Sequence, residues 1–233
     1  MIELAAMMPV YNEAEHYLEQ TLEHLDKLVE VIVIWDDGST DNTGEICQSF
    51  NKVIYHRSDE RFFTRNESLL RSRLWEITIQ QKPQWILALD ADEMFEERAE
   101  AEFRSLLKQQ DFYAADFRLF DFWNGFQYRV DGGWNPWIKF HRMLVKYDPS
   151  LSDQWRQEDL HCGRFPLEYY NMPYAFQCDL RVKHLGWMKM EDRQRKYDFY
   201  TNKRPECKHA QSIFSEEIQL EDWIHCKTLP FKV

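Results

Sequence analysis

Residues 85–95 read WILALDADEMF, a tryptophan and four apolar residues running straight into Asp90, Asp92 and Glu93. A continuous apolar run of this length suits a strand buried on both faces, as in parallel sheets. Acids directly at its end are either a solvated turn or ligands. In an extended segment side chains alternate, so Asp90 and Asp92 are expected on one side with Ala91 opposite. Two carboxylates so placed repel unless a cation joins them, and hard oxygen ligands suit Mg²⁺ or Mn²⁺, which commonly keep substrate phosphates as further ligands.

Upstream, strand-like and helix-like stretches alternate. ELAAMMPV (3–10) is an apolar run ended by Pro9. YNEAEHYLEQTLEHL follows, with Asn12 read as the N-cap and Leu18, Leu22 and Leu25 at helical spacing. VEVIVIW (29–35) reads as a buried strand leading through DDGSTDNTGEICQSF into a second helix, with Thr40 or Asp41 as its cap. KVIYH (52–56) reads as a third strand, 65–81 as a helix stopped before Pro83, and 84–90 as the fourth strand. The pattern predicts an α/β fold with a largely parallel central sheet covered by helices. Ligands in such sheets bind beyond the strands' carboxyl ends, where both acidic clusters, 36–41 and 90–93, fall. Asp36 and Asp37 end a buried strand, and a carboxylate there could accept hydrogen bonds from a nucleobase or ribose.

After a soft boundary at 111–116 the chain turns to aromatics, arginines and short turns, which predicts an antiparallel extension of the sheet. No linker, repeat or low-complexity stretch separates the halves, so residues 1–233 are expected to form one domain, with 1–112 and 113–233 as its two parts. MEDRQRKYDFYTNKRPECKHAQSIF reads as helical, and the last twenty residues carry no assignable pattern.

Composition narrows the function. Lys+Arg 29 against Asp+Glu 40 gives a net charge of −11, which disfavours a broad nucleic-acid footprint. Five cysteines (Cys47, Cys162, Cys178, Cys207, Cys226) without CxxC spacing argue against a disulfide framework or structural zinc. The beginning, with Glu3, lacks a basic start and apolar run, and no segment reaches roughly 18 uninterrupted apolar residues, so a cytoplasmic protein is expected. With seven glycines the chain has no GxGxxG, GxxxxGK[ST] or GxSxG, and HExxH is also absent.

Four ordered blocks, MPVYNEAEHYLEQTLEHL, VIVIWDDGSTDNTGEI, RNESLLRSRLWE and WILALDADEMF, resemble the nucleotide-sugar half of GT-A glycosyltransferases of family 2. More loosely, WIKFHRMLVKYDPSLSDQW, DLHCG and VKHLGWMKMEDRQRKYDFY resemble the later part of bacterial lipopolysaccharide-glucosyltransferase-type enzymes. The resemblance implies a GT-A fold, a nucleotide-diphosphate sugar donor with UDP-sugars favoured, and Mn²⁺ or Mg²⁺. It also implies a glycan or lipid-linked acceptor in cell-envelope biogenesis. It assigns Asp37 to the base, Asp90 to the ribose or the metal's water shell, and Asp92 to the metal, with His184 as a further ligand. Pro9, Tyr11 and Glu13 would line the nucleotide pocket, and Arg65 and Asn66 would meet the diphosphate or base.

For inverting transfer the acceptor hydroxyl needs a carboxylate base. RQEDLHCGRF offers Asp159, then Glu158, with His161 orienting or replacing them, but Cys162 stands where the resembling enzymes often carry an acid. QxxRW is absent, which favours single-sugar addition. Trp123, Trp134, Trp137, Trp155 and Trp187 read first as core and second as sugar-stacking faces. The basic segment from Lys183 to Arg204 is a solvated helix face, a cover for the diphosphate, or a peripheral contact with an anionic membrane. The rival readings are a nucleotidyltransferase, whose Gly- and Lys-bearing phosphate loop MMPVYNEAEHY lacks, and a non-catalytic carbohydrate-binding module.

Overall fold

The computed structural model describes residues 2–109, 111–172, 174–203 and 208–224; Arg204, Cys207 and Cys226 lie outside them. The nucleotide half alternates β1 (Ile2–Val10), α1 (Leu18–Leu28), β2 (Val31–Asp36), α2 (Thr43–Gln48), β3 (Val53–Arg57), α3 (Glu67–Gln80) and β4 (Pro83–Ala88). There follow β5 (Glu93–Phe95), α4 (Ala99–Leu107), β6 (Ala114–Asp121), β7 (Gln127–Arg129) and β8 (His141–Lys146). The chain continues through β9 (Ala175–His184), α5 (Met190–Lys203), α6 (Lys208–Gln211) and β10 (Leu220–Asp222).

Eight strands form one sheet in the order β3-β2-β1-β4-β8-β6-β9-β5, and β7 pairs with β10 in a small antiparallel sheet. β1 runs parallel to both β2 and β4, and β2 to β3. β8 is antiparallel to β4 and β6, as expected of an extension. β6 and β9, however, pair in parallel, so the extension is mixed. β7, β8 and 3₁₀ turns lie between them along the chain, a connection long enough for the crossover that a parallel pair requires.

Both faces of the central strands are buried, which explains their continuous apolar runs. Leu4, Ala6 and Met8 of β1, Ile32 and Ile34 of β2, and Trp85 and Leu87 of β4 share one core with Leu18, Leu22 and Leu25 of α1 and Phe103 and Leu106 of α4. The alternate residues Met7, Val33, Ile86 and Ala88 pack on the other face with Leu74 and Trp75 of α3. Each fully buried Leu, Ile, Val, Met or Phe side chain among them contributes about 1.5–3 kcal/mol.

Two local expectations are corrected. Asn12 is not a helix cap: α1 begins at Leu18 after Tyr17, and Asn12 has a φ of 53°. Its carboxamide oxygen instead accepts from Thr40 N at 2.7 Å, while its own N–H donates to Ser39 Oγ at 2.9 Å, stitching the turn after β1 to the turn after β2. Further along, β4 ends at Ala88, and Asp90–Glu93 is a turn closed by Glu93 N donating to Asp90 O at 3.1 Å, so the DxD carboxylates do not alternate along a strand.

Candidate donor site at the split between two parallel strands

The chain leaves β1 for β2 and β3 on one side, then returns to place β4 on the other, so the sheet's order reverses at β1. Pairing between β1 and β4 stops at Met7 and Ala88, whereas β1 and β2 stay paired to Val10 and Asp36. Pro9, which has no N–H to give, is tolerated because β4 has already ended beside it. Past this point the segments 11–13 and 89–93 diverge, making the crevice in which open α/β sheets bind ligands.

The acids of WILALDADEMF do not face one another across an empty gap; each has its own protein cation. Glu93, with 1% of its surface exposed, takes a bidentate pair from Arg164, both oxygens at 2.6 Å, and accepts from Asp90 N at 2.9 Å. Asp90 Oδ1 accepts from Arg71 Nη2 at 3.1 Å, and its other oxygen stands 3.6 Å from Arg164. Burial alone would raise the Asp90 carboxyl, but Arg71 and Arg164 hold it below its usual range. Arg164 also donates to Ala88 O at 3.2 Å, tying it to the strand end.

Asp92 looks the other way. His184 Nε2 and Lys196 Nζ each stand 3.3 Å from its Oδ2. Against a burial effect that would raise it, these two cations hold the Asp92 carboxyl far below the ordinary range. His184 arrives at the end of β9, which β5 registers opposite Glu93, and its Nδ1 lies 2.6 Å from Asp121 Oδ1. Burial would lower the imidazole, but Asp92 and the Asp121 hydrogen bond outweigh it and carry it up to about 10. Glu13, at the end of the β1 turn, is pushed up to about 8, first by burial and then by the Asp92 charge. It therefore adds no further negative charge at neutral pH.

The predicted residues thus divide. Glu13, Asp90, Asp92 and His184 converge on the crevice, and Tyr11 stands at its entrance with the Arg61 guanidinium 3.7 Å over its ring. Arg65 is exposed, and Asn66 is spent as the N-cap of α3, its side chain accepting from Leu69 N at 2.9 Å. Asp37 is buried, its two oxygens accepting from Phe62 N at 2.8 Å and Phe63 N at 2.9 Å. Asp36 accepts from Ser39 N at 2.7 Å and from the Tyr55 hydroxyl. Both acids of the WDDGS turn therefore organise loops, a role the sequence offered no reason for.

Glu158, Asp159 and His161 are exposed on a loop pinned to the start of α3. Ser68 Oγ donates to the carbonyls of Arg156 and Glu158 at 2.6 and 2.8 Å, and Glu67 N donates to Asp159 O at 3.1 Å. His161, at a φ of 65°, donates its N–H to Glu67 Oε2 at 2.6 Å. Glu67 in turn accepts from Arg71 Nε at 3.3 Å, so this loop is coupled through Glu67 and Arg71 to Asp90. Neighbouring Cys162 is buried, its thiol pushed up to about 11 by burial, and so cannot replace the missing acid as a base.

Arg71, Arg164 and Asp121 were not singled out by sequence as site residues, and Lys196 was named there only within the basic segment that could cover the diphosphate. Glu67 and Arg71 four apart on a helix that also buries Leu70 and Leu74 was the available signal; Arg164 in CGRF had none. Of the tryptophans, Trp123, Trp134, Trp155 and Trp187 are buried, as the core reading expects. In the basic segment Lys183 pairs with Glu97 at 2.6 Å, Arg195 with Asp192 at 3.1 Å, and Arg193 is buried. Cys47, Cys162 and Cys178 are free and buried, and among the described residues no helix is long and apolar enough to cross a membrane.

A divalent cation fits this donor set as a site completed by substrate. Among the described residues no three His, Cys, Asp or Glu side chains converge as a metal cage. Asp92 and His184 nonetheless meet at one point, Asp121 orients the imidazole through its other nitrogen, and the Lys196 ammonium stands where positive charge is called for. Mn²⁺ and Mg²⁺ are commonly held by one or two protein ligands plus phosphate oxygens.

A reversing parallel sheet with acids, imidazole and arginines at its switch point defines the nucleotide-sugar-transferase class of α/β fold, GT-A. The family model described as Glycosyl transferase family 2 matches residues 6–157, and the chain belongs to that family. An uncharacterized glycosyltransferase of Mycoplasma genitalium is 24% identical over 142 residues, covering 55% of this chain and 45% of that protein. Glycosyltransferase GlyG of Streptococcus pneumoniae serotype 4 is 43% identical over 51 residues, 20% of this chain and 16% of that one. The chain thus spans less than half the length of these curated relatives. Among solved structures, S. aureus TarS residues 1–349 in complex with UDP-GlcNAc aligns over 92% of this chain and 71% of that one, at 14% identity and a TM-score of 0.53. That similarity concerns the fold.

Proposed function

We propose that this chain transfers a single sugar from a nucleoside-diphosphate sugar to a hydroxyl of a glycan or glycolipid acceptor, with inversion and with a divalent metal. The observation that carries this reading is the meeting of Asp92 and His184, from two different strand ends, 3.3 Å apart in the crevice where β1 and β4 separate. Membership of glycosyl transferase family 2 supports it. UDP is the first nucleotide to test, being the one named in the TarS complex.

In this reading residues 1–112 hold the donor and 113–233 complete the acceptor side of one domain. Asp92 and His184, the latter after giving up its Nε2 proton, would hold Mn²⁺ or Mg²⁺, which when bound supplies Lewis-acid neutralisation of the leaving diphosphate. Arg71 and Arg164 keep Asp90 ionised and fixed, so that it can accept hydrogen bonds from the ribose or from metal-bound water. Tyr11 and Pro9 would border the base, and Asp37, at the end of β2 with its carboxylate held by Phe62 N and Phe63 N, would meet the base. Glu13 would line the nucleotide pocket beside Asp92, whose charge adds to burial in pushing its carboxyl up.

The acceptor hydroxyl attacks the anomeric carbon as the bond to the diphosphate oxygen breaks, the electron pair leaving with the phosphate. Asp159, with Glu158 as its alternative and His161 orienting either, takes the hydroxyl proton. Such an enzyme would act on the cytoplasmic side, with the exposed end of the basic segment as its membrane-facing surface.

Thermal shift with UDP, GDP, CDP and dTDP, with and without Mn²⁺, tests the reading on the wild type and Asp92→Ala. One diphosphate at 100 times its Kd is expected to stabilise the wild type by about 2.7 kcal/mol only with metal, and Asp92→Ala to abolish the effect. Stabilisation of neither protein by any diphosphate would leave the fold as a non-catalytic scaffold.

A further inference from the structure

Lys196 is built into the crevice more tightly than a solvated helix face requires. Its ammonium lies 3.3 Å from Asp92 Oδ2, the same oxygen that His184 Nε2 meets at 3.3 Å, so one carboxylate oxygen faces two cationic groups. A Cβ added at Gly186 would fall 1.9 Å from that oxygen and 2.3 Å from the ammonium. Glycine is thus present at 186 because the ion pair fills the space a side chain would occupy.

The surroundings show which part of this contact can move. Arg193, one turn before Lys196 on α5, donates to the carbonyls of Trp123 and Trp187 at 2.8 and 2.6 Å and anchors the helix. Lys196 itself is joined to that anchored helix only by its flexible four-carbon stem, and its ammonium lies 4.4 Å from the Trp187 ring centroid, a face that attracts cations. A buried carboxylate is costly without cationic partners, and Asp92 draws on two, His184 and Lys196. A divalent ion at the same oxygen would repel the ammonium, and a donor's diphosphate bound to that ion would offer it a compensating charge.

We propose that Lys196 is an exchangeable occupant of the cation position on Asp92, sharing that carboxylate with His184 and turning onto the donor's diphosphate once a divalent cation binds. This rests on the donor-site reading above. Lys196 thereby makes metal and donor binding mutually dependent: metal alone must displace the ammonium, whereas metal together with a diphosphate gives the ammonium a new partner.

The test uses the intact chain, Mn²⁺ alone followed by the paramagnetic resonance of the free ion, and UDP in saturating Mn²⁺ followed by calorimetry. Lys196→Met, which keeps the apolar stem on Trp187, is expected to bind Mn²⁺ alone roughly tenfold tighter and UDP roughly tenfold more weakly, opposite shifts that a merely structural lysine would not produce. Lys196→Gln, checked for its fold by circular dichroism, must shift both affinities in the same directions, and Lys196→Arg must restore UDP binding. If UDP binds and Mn²⁺ affinity is unchanged or weakened in Lys196→Met, the exchange is overturned while the donor site stands. Unchanged UDP affinity in Lys196→Met overturns it as well. If the wild type binds neither Mn²⁺ nor UDP, the donor-site reading falls and the exchange with it.

Discussion

At the scale of single residues, the acids that stand out in the sequence take two different kinds of work. Asp36 accepts from Ser39 in its own turn and from the Tyr55 hydroxyl of β3, and Asp37 accepts from the backbone of Phe62 and Phe63, so their partners are neutral donors. Asp90, Asp92 and Glu93 are each matched to a cation from a distant segment: Arg71, His184 with Lys196, and Arg164. Gly186 is what lets the Asp92 cluster close. Gly186→Ala should lower stability by about 1–3 kcal/mol through overpacking and should diminish the Mn²⁺-dependent shift produced by UDP. Denaturant unfolding and thermal shift on the same sample separate the two effects; an alanine variant with both unchanged would show that the crevice relaxes freely.

At the scale of elements, local pattern foresaw α1, α3, α5 and the parallel strands, because both helical periodicity and fully buried runs are properties of short windows. It misplaced the start of α1, since Asn12 satisfies a tertiary partner, the turn at Thr40, rather than the helix. Another consequence of packing lies on α1 itself. His24 stacks on Phe95 of β5 with ring centroids 6.4 Å apart, and its Nε2 is buried without a partner among the described residues. Burial lowers its imidazole from 6.5 to about 4, so the folded chain stays neutral there while the unfolded chain takes a proton near 6.5. Its contribution is present above about 6.5 and is lost as pH falls toward 4. His24→Leu should therefore gain thermal midpoint relative to the wild type as pH is lowered from 7 to 4.5, and a difference independent of pH would contradict this.

At the scale of the whole molecule, one sheet runs through both parts of the chain: β4 pairs with β8, and β5 from the first half pairs with β9 from the second. The candidate site straddles the same seam, with Asp92 from one part and His184 and Lys196 from the other. Unfolding followed by tryptophan fluorescence, which reports largely on the second half, and by far-ultraviolet circular dichroism should then give coincident single transitions. Two separated midpoints would show that the halves fold independently.

The alternation of buried strands and amphipathic helices, the likeness to the family and the DxD at a strand's carboxyl end were determined by the sequence alone, because each is written in neighbouring residues. The partners of those acids were not. Arg71, Arg164, Asp121 and Lys196 lie between 19 and 104 positions from the carboxylates or imidazole they meet, and no periodicity in a chain reports which distant cation will neutralise a buried charge. Only the tertiary structure decided that the crevice at β1 and β4 is a network of paired charges, with a lysine already standing on the residue expected to bind metal. The physical reason is that a buried charge is costly without a partner, and whether a counter-charge arrives, as at Asp90, Asp92 and Glu93, or backbone N–H groups, as at Asp37, is settled by topology.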